Sequence, residues 1–225
     1  MIGRPVWEPR MRRFVIGLTG FGMALSCALL QNVYQYATDN VAREFSMSRI
    51  APLHQPYAPK IQEQFDRIMR GAPPLMLFRV VAGHARAWGK FLASSLLDRG
   101  PLPLPEREIV IDRTCALNAC EYEWGVHVAI FAGAAELSDE QVRATVRGEA
   151  NASCWSEAEQ ALIAAVDALH HRATLSDAEF AALSAHYDDD QILEIIMLCG
   201  VYRTVSYLAN GLALPLEENA ARFPV

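Results

Sequence analysis

The sequence predicts an all-α protein, and three observations support that class. From Pro59 onward, apolar residues recur at the three- and four-residue spacing of an amphipathic helix. Three segments begin with a capping box, in which a serine is followed three residues later by Glu or Gln. These boxes start at Ser138, Ser156 and Ser176. Alternation of apolar and polar residues, which is typical of strands, never persists beyond a few residues.

The helical elements follow from this periodicity and from the prolines that interrupt it. The predicted ranges are 60–70, 76–98, 105–116, 119–135, 139–148, 157–171, 177–187 and 190–212. The last of these is apolar nearly all round, so it must be covered on most sides. A subunit interface and a central position within a monomer would both cover it.

Length and composition narrow the class of protein. The chain has 225 residues, of which 52% are hydrophobic and 20% charged, enough to bury a real core. The net charge of -6 argues against general affinity for nucleic acid. Five cysteines, odd in number and irregular in spacing, do not form a disulfide framework. Free thiols in a reducing compartment, the cytoplasm, are therefore expected.

The first 46 residues differ from the rest. Residues 14–30 are uncharged and follow Arg12 and Arg13, a pattern that suits a signal peptide or a short membrane anchor. Alternatively, translation starts at Met47 and the leader is an artefact of start-site choice. We therefore divide the chain into a leader, 1–46, and a helical domain, 47–225. Export or anchoring through residues 11–30 is the alternative to a cytoplasmic location.

The segment 115–127, CALNACEYEWGVH, carries reactive side chains on an otherwise apolar helix. On an ideal helix, Cys120, Glu123 and His127 share one stripe. A thiol, a carboxylate and an imidazole so placed can exchange protons, which is what a thiolate nucleophile requires. The alternative is a buried, inert cysteine beside two solvated polar residues.

Glu108 can join this group only if the helix breaks before Cys120. Asn118 is a favoured N-cap and Glu121 follows three residues later, so a new helix is predicted to start there. Cys120 would then lie in the first turn, where the helix dipole lowers a thiol pKa. Glu108 would fold back towards Cys120 and His127.

Residues 101–142, PLPLPEREIVIDRTCALNACEYEWGVHVAIFAGAAELSDEQV, resemble the carboxymuconolactone decarboxylase and alkyl hydroperoxidase D-like family, with weaker similarity from about residue 50 to 214. The resemblance implies a helical bundle that assembles into trimers or hexamers. Peroxidase members carry Glu, eleven residues, Cys, two residues, Cys, three residues and His. Glu108, Cys120 and His127 match that pattern, whereas the second cysteine is replaced by Glu123.

The resemblance implies a first hypothesis, a cofactor-free, thiol-dependent peroxidase with a small-molecule substrate and an external thiol reductant. Cys120 would attack the peroxide, and His127 would move protons with help from Glu108 and Glu123. Because Glu123 cannot form a disulfide, Cys115 is the nearby candidate for a resolving thiol.

Two other hypotheses remain open. A lyase or isomerase could act on a small carboxylated lactone through His127 with Glu108 or Glu123, without needing the cysteine. A helical oligomer could also bind a small apolar ligand without chemistry. A metal site is less consistent with these residue types, since zinc would need one Cys, one His and two Glu to converge.

Overall fold

The computed structural model describes residues 48–224, which form nine helices with no strand among them. The all-α prediction is therefore confirmed for the described part of the chain. In chain order the helices are α1 (Pro59–Met69), α2 (Met76–Ala82), α3 (Ala85–Ala93), α4 (Leu104–Leu117), α5 (Glu121–Phe131), α6 (Asp139–Arg147), α7 (Glu157–Arg172), α8 (Asp177–Ser184) and α9 (Asp189–Gly211).

The predicted leader, residues 1–46, lies outside the described residues. Its apolar run at 14–30 therefore receives no structural test. The cleavage, anchoring and start-site alternatives stay predictions, as does the location of the protein.

The prediction of one helix over 76–98 is wrong, because the chain turns between α2 and α3. Gly83 closes α2, and His84 takes an extended conformation, with φ -125° and ψ 96°, as the residue that caps α3. Glycine is a weak helix former, so a turn at Gly83 costs little helical stability. The turn folds α3 back against α2.

All three predicted capping boxes are present at the starts of α6, α7 and α8. A fourth starts α9, where the Asp188 side chain accepts a hydrogen bond from the Gln191 backbone N–H and the Gln191 side chain bonds back. These local hydrogen bonds fix where each helix begins, because they satisfy N–H groups that have no partner within the helix.

Helix α4 is the central element of the domain, packed against α5, α6, α7 and α9. Buried positions run through its whole middle, so it has no solvent-facing side there. Those residues are Glu108, Ile109, Val110, Ile111, Asp112, Arg113, Thr114 and Cys115. Inside the fold, Arg113 forms a bidentate salt bridge with Asp167, with N–O distances of 2.7 and 2.9 Å. Glu108 and Asp112 face α5 and α9 instead, and they belong to the candidate site.

The junction between α4 and α5 confirms the predicted break and corrects its details. Asn118 ends α4, with its side-chain amide donating to the Thr114 carbonyl oxygen at 2.7 Å, and is not the N-cap of α5. Ala119 has a φ of 50°, a left-handed conformation that reverses the chain. Cys120 is the N-cap of α5 and not a first-turn residue. The turn therefore spans Asn118, Ala119 and Cys120, whereas the sequence pattern placed the N-cap at Asn118.

Helix α9 passes through the core, as expected for a helix apolar nearly all round. Among the described residues, α9 alone is long and apolar enough to suit a membrane span, and 44% of its most apolar window is buried in the fold. Its inner face packs against α4, α5 and α7. Its outer face leaves large apolar side chains exposed, namely Leu193, Ile196, Met197 and Tyr207. The homo-oligomer expected from the sequence stays a prediction.

The C-terminal segment after α9 lies across the outer face of α5. The Ala221 backbone N–H donates to the Gly125 carbonyl oxygen at 2.9 Å. Glu121 accepts from the Phe223 backbone N–H at 2.9 Å, and the Phe223 ring packs edge-on against Trp124. The first two turns of α5 are thereby covered from outside at Glu121, Trp124 and Gly125.

Gly125→Ala tests this close approach. A Cβ at Gly125 would lie 2.3 Å from the backbone oxygen of Ala221, so the segment must move away. We expect the free energy of unfolding to fall by about 1–3 kcal/mol, as for other overpacked sites. Urea unfolding measures this change. Gly89→Ala is the matched control, because a Cβ there meets nothing within 4 Å. An unchanged stability for Gly125→Ala would contradict the contact.

Candidate active site

The imidazole of His127 lies between two glutamates inside the fold. Its Nδ1 is 2.7 Å from Oε2 of Glu108 on α4, and its Nε2 is 3.5 Å from Oε1 of Glu123, one turn earlier on α5. His127 and Glu108 are almost fully buried, whereas the Glu123 side chain is 10% exposed. Glu123 is therefore the member of the group nearest to solvent. The break between α4 and α5 is what brings Glu108 to His127, as predicted.

Neighbouring side chains fix this group in place. Arg107 donates from Nε and Nη2 to Oε1 of Glu108, at 3.0 and 2.9 Å, while its guanidinium lies over the Phe131 ring. The Tyr202 ring packs edge-on against the His127 ring, with centroids 5.0 Å apart. Both oxygens of Glu108 thus have partners, and the imidazole is held by rings as well as by carboxylates.

The surroundings of His127 favour its protonated form. Burial disfavours an imidazolium, but the hydrogen bonds and charges of Glu108 and Glu123 outweigh it and raise the pKa of His127 to about 10. At neutral pH both ring nitrogens therefore carry protons and can donate. Together, the imidazolium and the Arg107 guanidinium match the two glutamate charges.

Asp112 lies one turn beyond Glu108 on α4 and is also buried. Burial raises the pKa of this carboxyl well above its ordinary value, against the opposing charge of His127. Its Oδ1 and the Oε2 of Glu123 are buried without a hydrogen-bond partner among the described residues. Such orphaned polar atoms are costly in a fold and mark places where water or a ligand could bind.

Cys120 is fully buried at the start of α5. Burial raises the pKa of its thiol, although the nearby N–H of Glu123 and the hydroxyl of Ser206 act in the opposite direction. The expected lowering of this pKa by the helix start is therefore wrong, because burial is the larger effect. Cys115 is also fully buried, with a thiol pKa raised well above its ordinary value by burial. Both thiols interact with the Ser206 hydroxyl, and the Cys120 N–H donates to the Cys115 carbonyl oxygen at 2.9 Å.

The structure thus places Glu108, Glu123 and His127 in direct contact, with Cys120 at the edge of the same group. Sequence reasoning missed Arg107, Asp112, Tyr202 and Ser206. Asp112 had a local signal, since its carboxyl lies four residues after Glu108 and therefore on the same helix face. Tyr202 and Ser206 come from α9, far along the chain, and no local pattern connects them to the site.

Residues 82–167 match the carboxymuconolactone decarboxylase family. Over these residues the chain is similar to that family. The matched residues include α4, α5 and the whole Glu108–Glu123–His127 group, so the resemblance seen in the sequence is confirmed. A comparison with curated proteins finds no match.

Several solved structures share the fold of this chain. An uncharacterized peroxidase-related protein from Silicibacter sp. TM1040 has a TM-score of 0.68 at 17% identity, covering 79% of this chain and 96% of its own. An alkylhydroperoxidase AhpD core protein from Ralstonia eutropha JMP134 has a TM-score of 0.64 at 17% identity, covering 76% and 93%. The debrominase Bmp8 with 2,3,4-tribromopyrrole has a TM-score of 0.64 at 16% identity, covering 75% and 91%. The helical bundle is therefore of the alkyl hydroperoxidase D-like type.

Proposed function

We propose that this domain is an enzyme that moves protons on a small organic acid or lactone, with His127 and Glu123 as the working pair. The observation that carries the proposal is the placement of one buried imidazole between Glu108 and Glu123. An imidazolium can donate a proton or stabilise a developing oxyanion. A neighbouring carboxylate can accept a proton from carbon. This is the lyase or isomerase hypothesis, and it needs no reactive cysteine.

The individual roles follow from exposure and hydrogen bonding. Glu123 is the base, because it is the most exposed member of the group and its Oε2 has no partner among the described residues. His127 is the acid, since its raised pKa keeps it protonated. Glu108 is a positioning residue that fixes the ring through Nδ1, and Arg107 holds Glu108 in turn.

The fold alone does not choose the reaction. Neighbours of the same fold carry names as different as peroxidase-related protein, alkylhydroperoxidase core and debrominase. Function is carried by the site rather than by the scaffold. In this chain, a carboxylate stands where the peroxidase pattern has its second cysteine, which favours proton transfer over dithiol chemistry.

The thiol peroxidase is the second candidate, and the shared contact of Cys115 and Cys120 with Ser206 favours it. The Cys120 thiolate would attack a peroxide oxygen, releasing an alcohol and leaving a sulfenic acid. The Cys115 thiol would then form a disulfide and release water, and an external dithiol would restore both thiols. We rank this candidate second because both thiols are fully buried and their pKa values are raised.

Cys120→Ser separates the two candidates. We expect the variant to keep turnover of carboxylated lactones and related carbon acids, because the thiol is outside the proton path. Assays should run a panel of such substrates in parallel with an organic peroxide plus a dithiol. Cys154→Ser, at a half-buried cysteine remote from the site, is the matched control. Peroxide turnover in the wild type that disappears only in Cys120→Ser would replace the proposal with the peroxidase.

A further inference from the structure

A cavity of about 210 Å³ lies between α4, α7 and α9. Its lining includes Thr114, Leu169, His170, Ile196, Cys199 and Arg203. None of the four predicted site residues is among the described residues that line it. None of those lining residues is acidic, so Arg203 is the charged group of the cavity.

Arg203 makes two hydrogen bonds at this cavity, and neither is to a carboxylate. Its Nε donates to the Tyr207 hydroxyl oxygen at 2.7 Å, and its Nη1 donates to the His170 carbonyl oxygen at 3.1 Å. The second bond satisfies a carbonyl at the end of α7 that would otherwise repel an anion. The nearby Asp167 is already paired with Arg113. Within the described chain, the remaining guanidinium N–H groups have no acidic partner.

The other side of the cavity supplies a second polar contact and an apolar wall. Nδ1 of His170 is buried and has no hydrogen-bond partner among the described residues. Val166, Leu169 and Ile196 provide hydrocarbon surface beside it. The remaining N–H groups of Arg203, and His170 in the tautomer that carries a proton on Nδ1, can donate to one carboxylate group, whereas the apolar wall suits a short hydrocarbon body. The cavity is smaller than those of about 300–1,000 Å³ that take drug-sized ligands.

We propose that this cavity is a binding site for a small monocarboxylate with a compact apolar body, separate from the His127 group. The carboxylate binds to Arg203 and His170, and the apolar body packs against Val166, Leu169 and Ile196. The site does not depend on the reaction proposed above.

Benzoate is a suitable probe, and calorimetric titration of the full chain measures its binding. Arg203→Gln removes the charge and should weaken benzoate binding by about tenfold or more. Ile196→Glu should also weaken it, because Ile196 lines this cavity and not the larger one, and a carboxylate there repels that of benzoate. Ile196 is 38% exposed, so the fold can accept the charge. Benzyl alcohol, which lacks the charge, and formate, which lacks the apolar body, should both bind more weakly than benzoate.

Lys90→Gln is the matched control for Arg203→Gln. Lys90 lines a larger cavity of about 640 Å³, which shares Gly200 with the smaller one but not Arg203. Normal benzoate binding in Lys90→Gln together with weakened binding in Arg203→Gln supports the proposal. If Arg203→Gln does not fold, weakened binding in Ile196→Glu with normal binding in Lys90→Gln supports it, because Ile196 lines only the smaller cavity. Three results would overturn it: no saturable binding to the wild type, equal binding of benzyl alcohol, or weakening by Lys90→Gln and not by Arg203→Gln.

Discussion

Replacing His127 with glutamine is expected to lower turnover by about 10²–10⁴-fold, the contribution usual for a positioned acid or base. Glutamine keeps an N–H that can reach one glutamate but cannot carry a proton to substrate. The variant also loses the cation that lies 3.5 Å from Glu123. Steady-state kinetics on the substrate found in the panel measures the effect, and the loss should fall on kcat.

Stability must be measured beside activity in this variant. Removing one partner of a buried ion pair costs about 3–5 kcal/mol, because the remaining charge stays buried. Circular dichroism and urea unfolding will show whether His127→Gln is folded at the assay temperature. His171→Gln is the matched control, because His171 is exposed at the end of α7. A folded His127→Gln variant with near-normal turnover would rule out the proposed acid.

Local sequence patterns predicted much of the helical framework. The capping boxes at Ser138, Ser156 and Ser176 each depend on hydrogen bonds within four residues, so they can be recognised in the sequence alone. The split between α2 and α3 was missed because Gly83 also occurs inside helices, and only the packing of α3 on α2 decides that the chain turns there.

The candidate site was predicted in part for the same reason. Glu123 and His127 lie on one stripe of one helix, and their contact follows from helical spacing. The contact of Glu108 with His127 required a break in the helix, and the sequence predicted that break. The break depends on Ala119 in a left-handed conformation, which alanine does not favour. The burial of Glu108 and Asp112 depends on α9 covering α4, a contact between segments about ninety residues apart along the chain. From the sequence pattern alone, such carboxyl groups are expected to be exposed to solvent.

The local sequence pattern predicted a lowered pKa for the Cys120 thiol, whereas its burial raises that pKa. A helix start lowers a thiol pKa when the thiol keeps contact with water. Here the C-terminal segment and α9 cover the start of α5, and desolvation outweighs the favourable N–H groups. Burial also disfavours the charged form of His127, but there the hydrogen bonds and charges of Glu108 and Glu123 outweigh it.

Stability of the domain is expected to fall as pH rises through the alkaline range, and His127 is the cause. In the unfolded chain its pKa is about 6.5, whereas in the fold it is raised to about 10. A group with a raised pKa contributes its full stabilisation below the unfolded value and loses it as pH rises towards the folded value. The free energy of unfolding should therefore decrease from about pH 6.5 to about pH 10, by several kcal/mol in total.

Urea unfolding at intervals between pH 6.5 and 8.5 measures this slope before the thiols of the unfolded chain titrate, since their ordinary pKa is 9.0. Glu108→Gln is the informative variant. It removes one of the two carboxylates that raise the His127 pKa, so the slope should flatten and end at lower pH. His127→Gln should remove this contribution altogether, and the difference between the wild-type and His127→Gln curves isolates it from Asp112 and other groups. Equal slopes in the wild type and His127→Gln would mean that His127 is not an imidazolium in the fold, and the role of His127 as the proton donor would then be untenable.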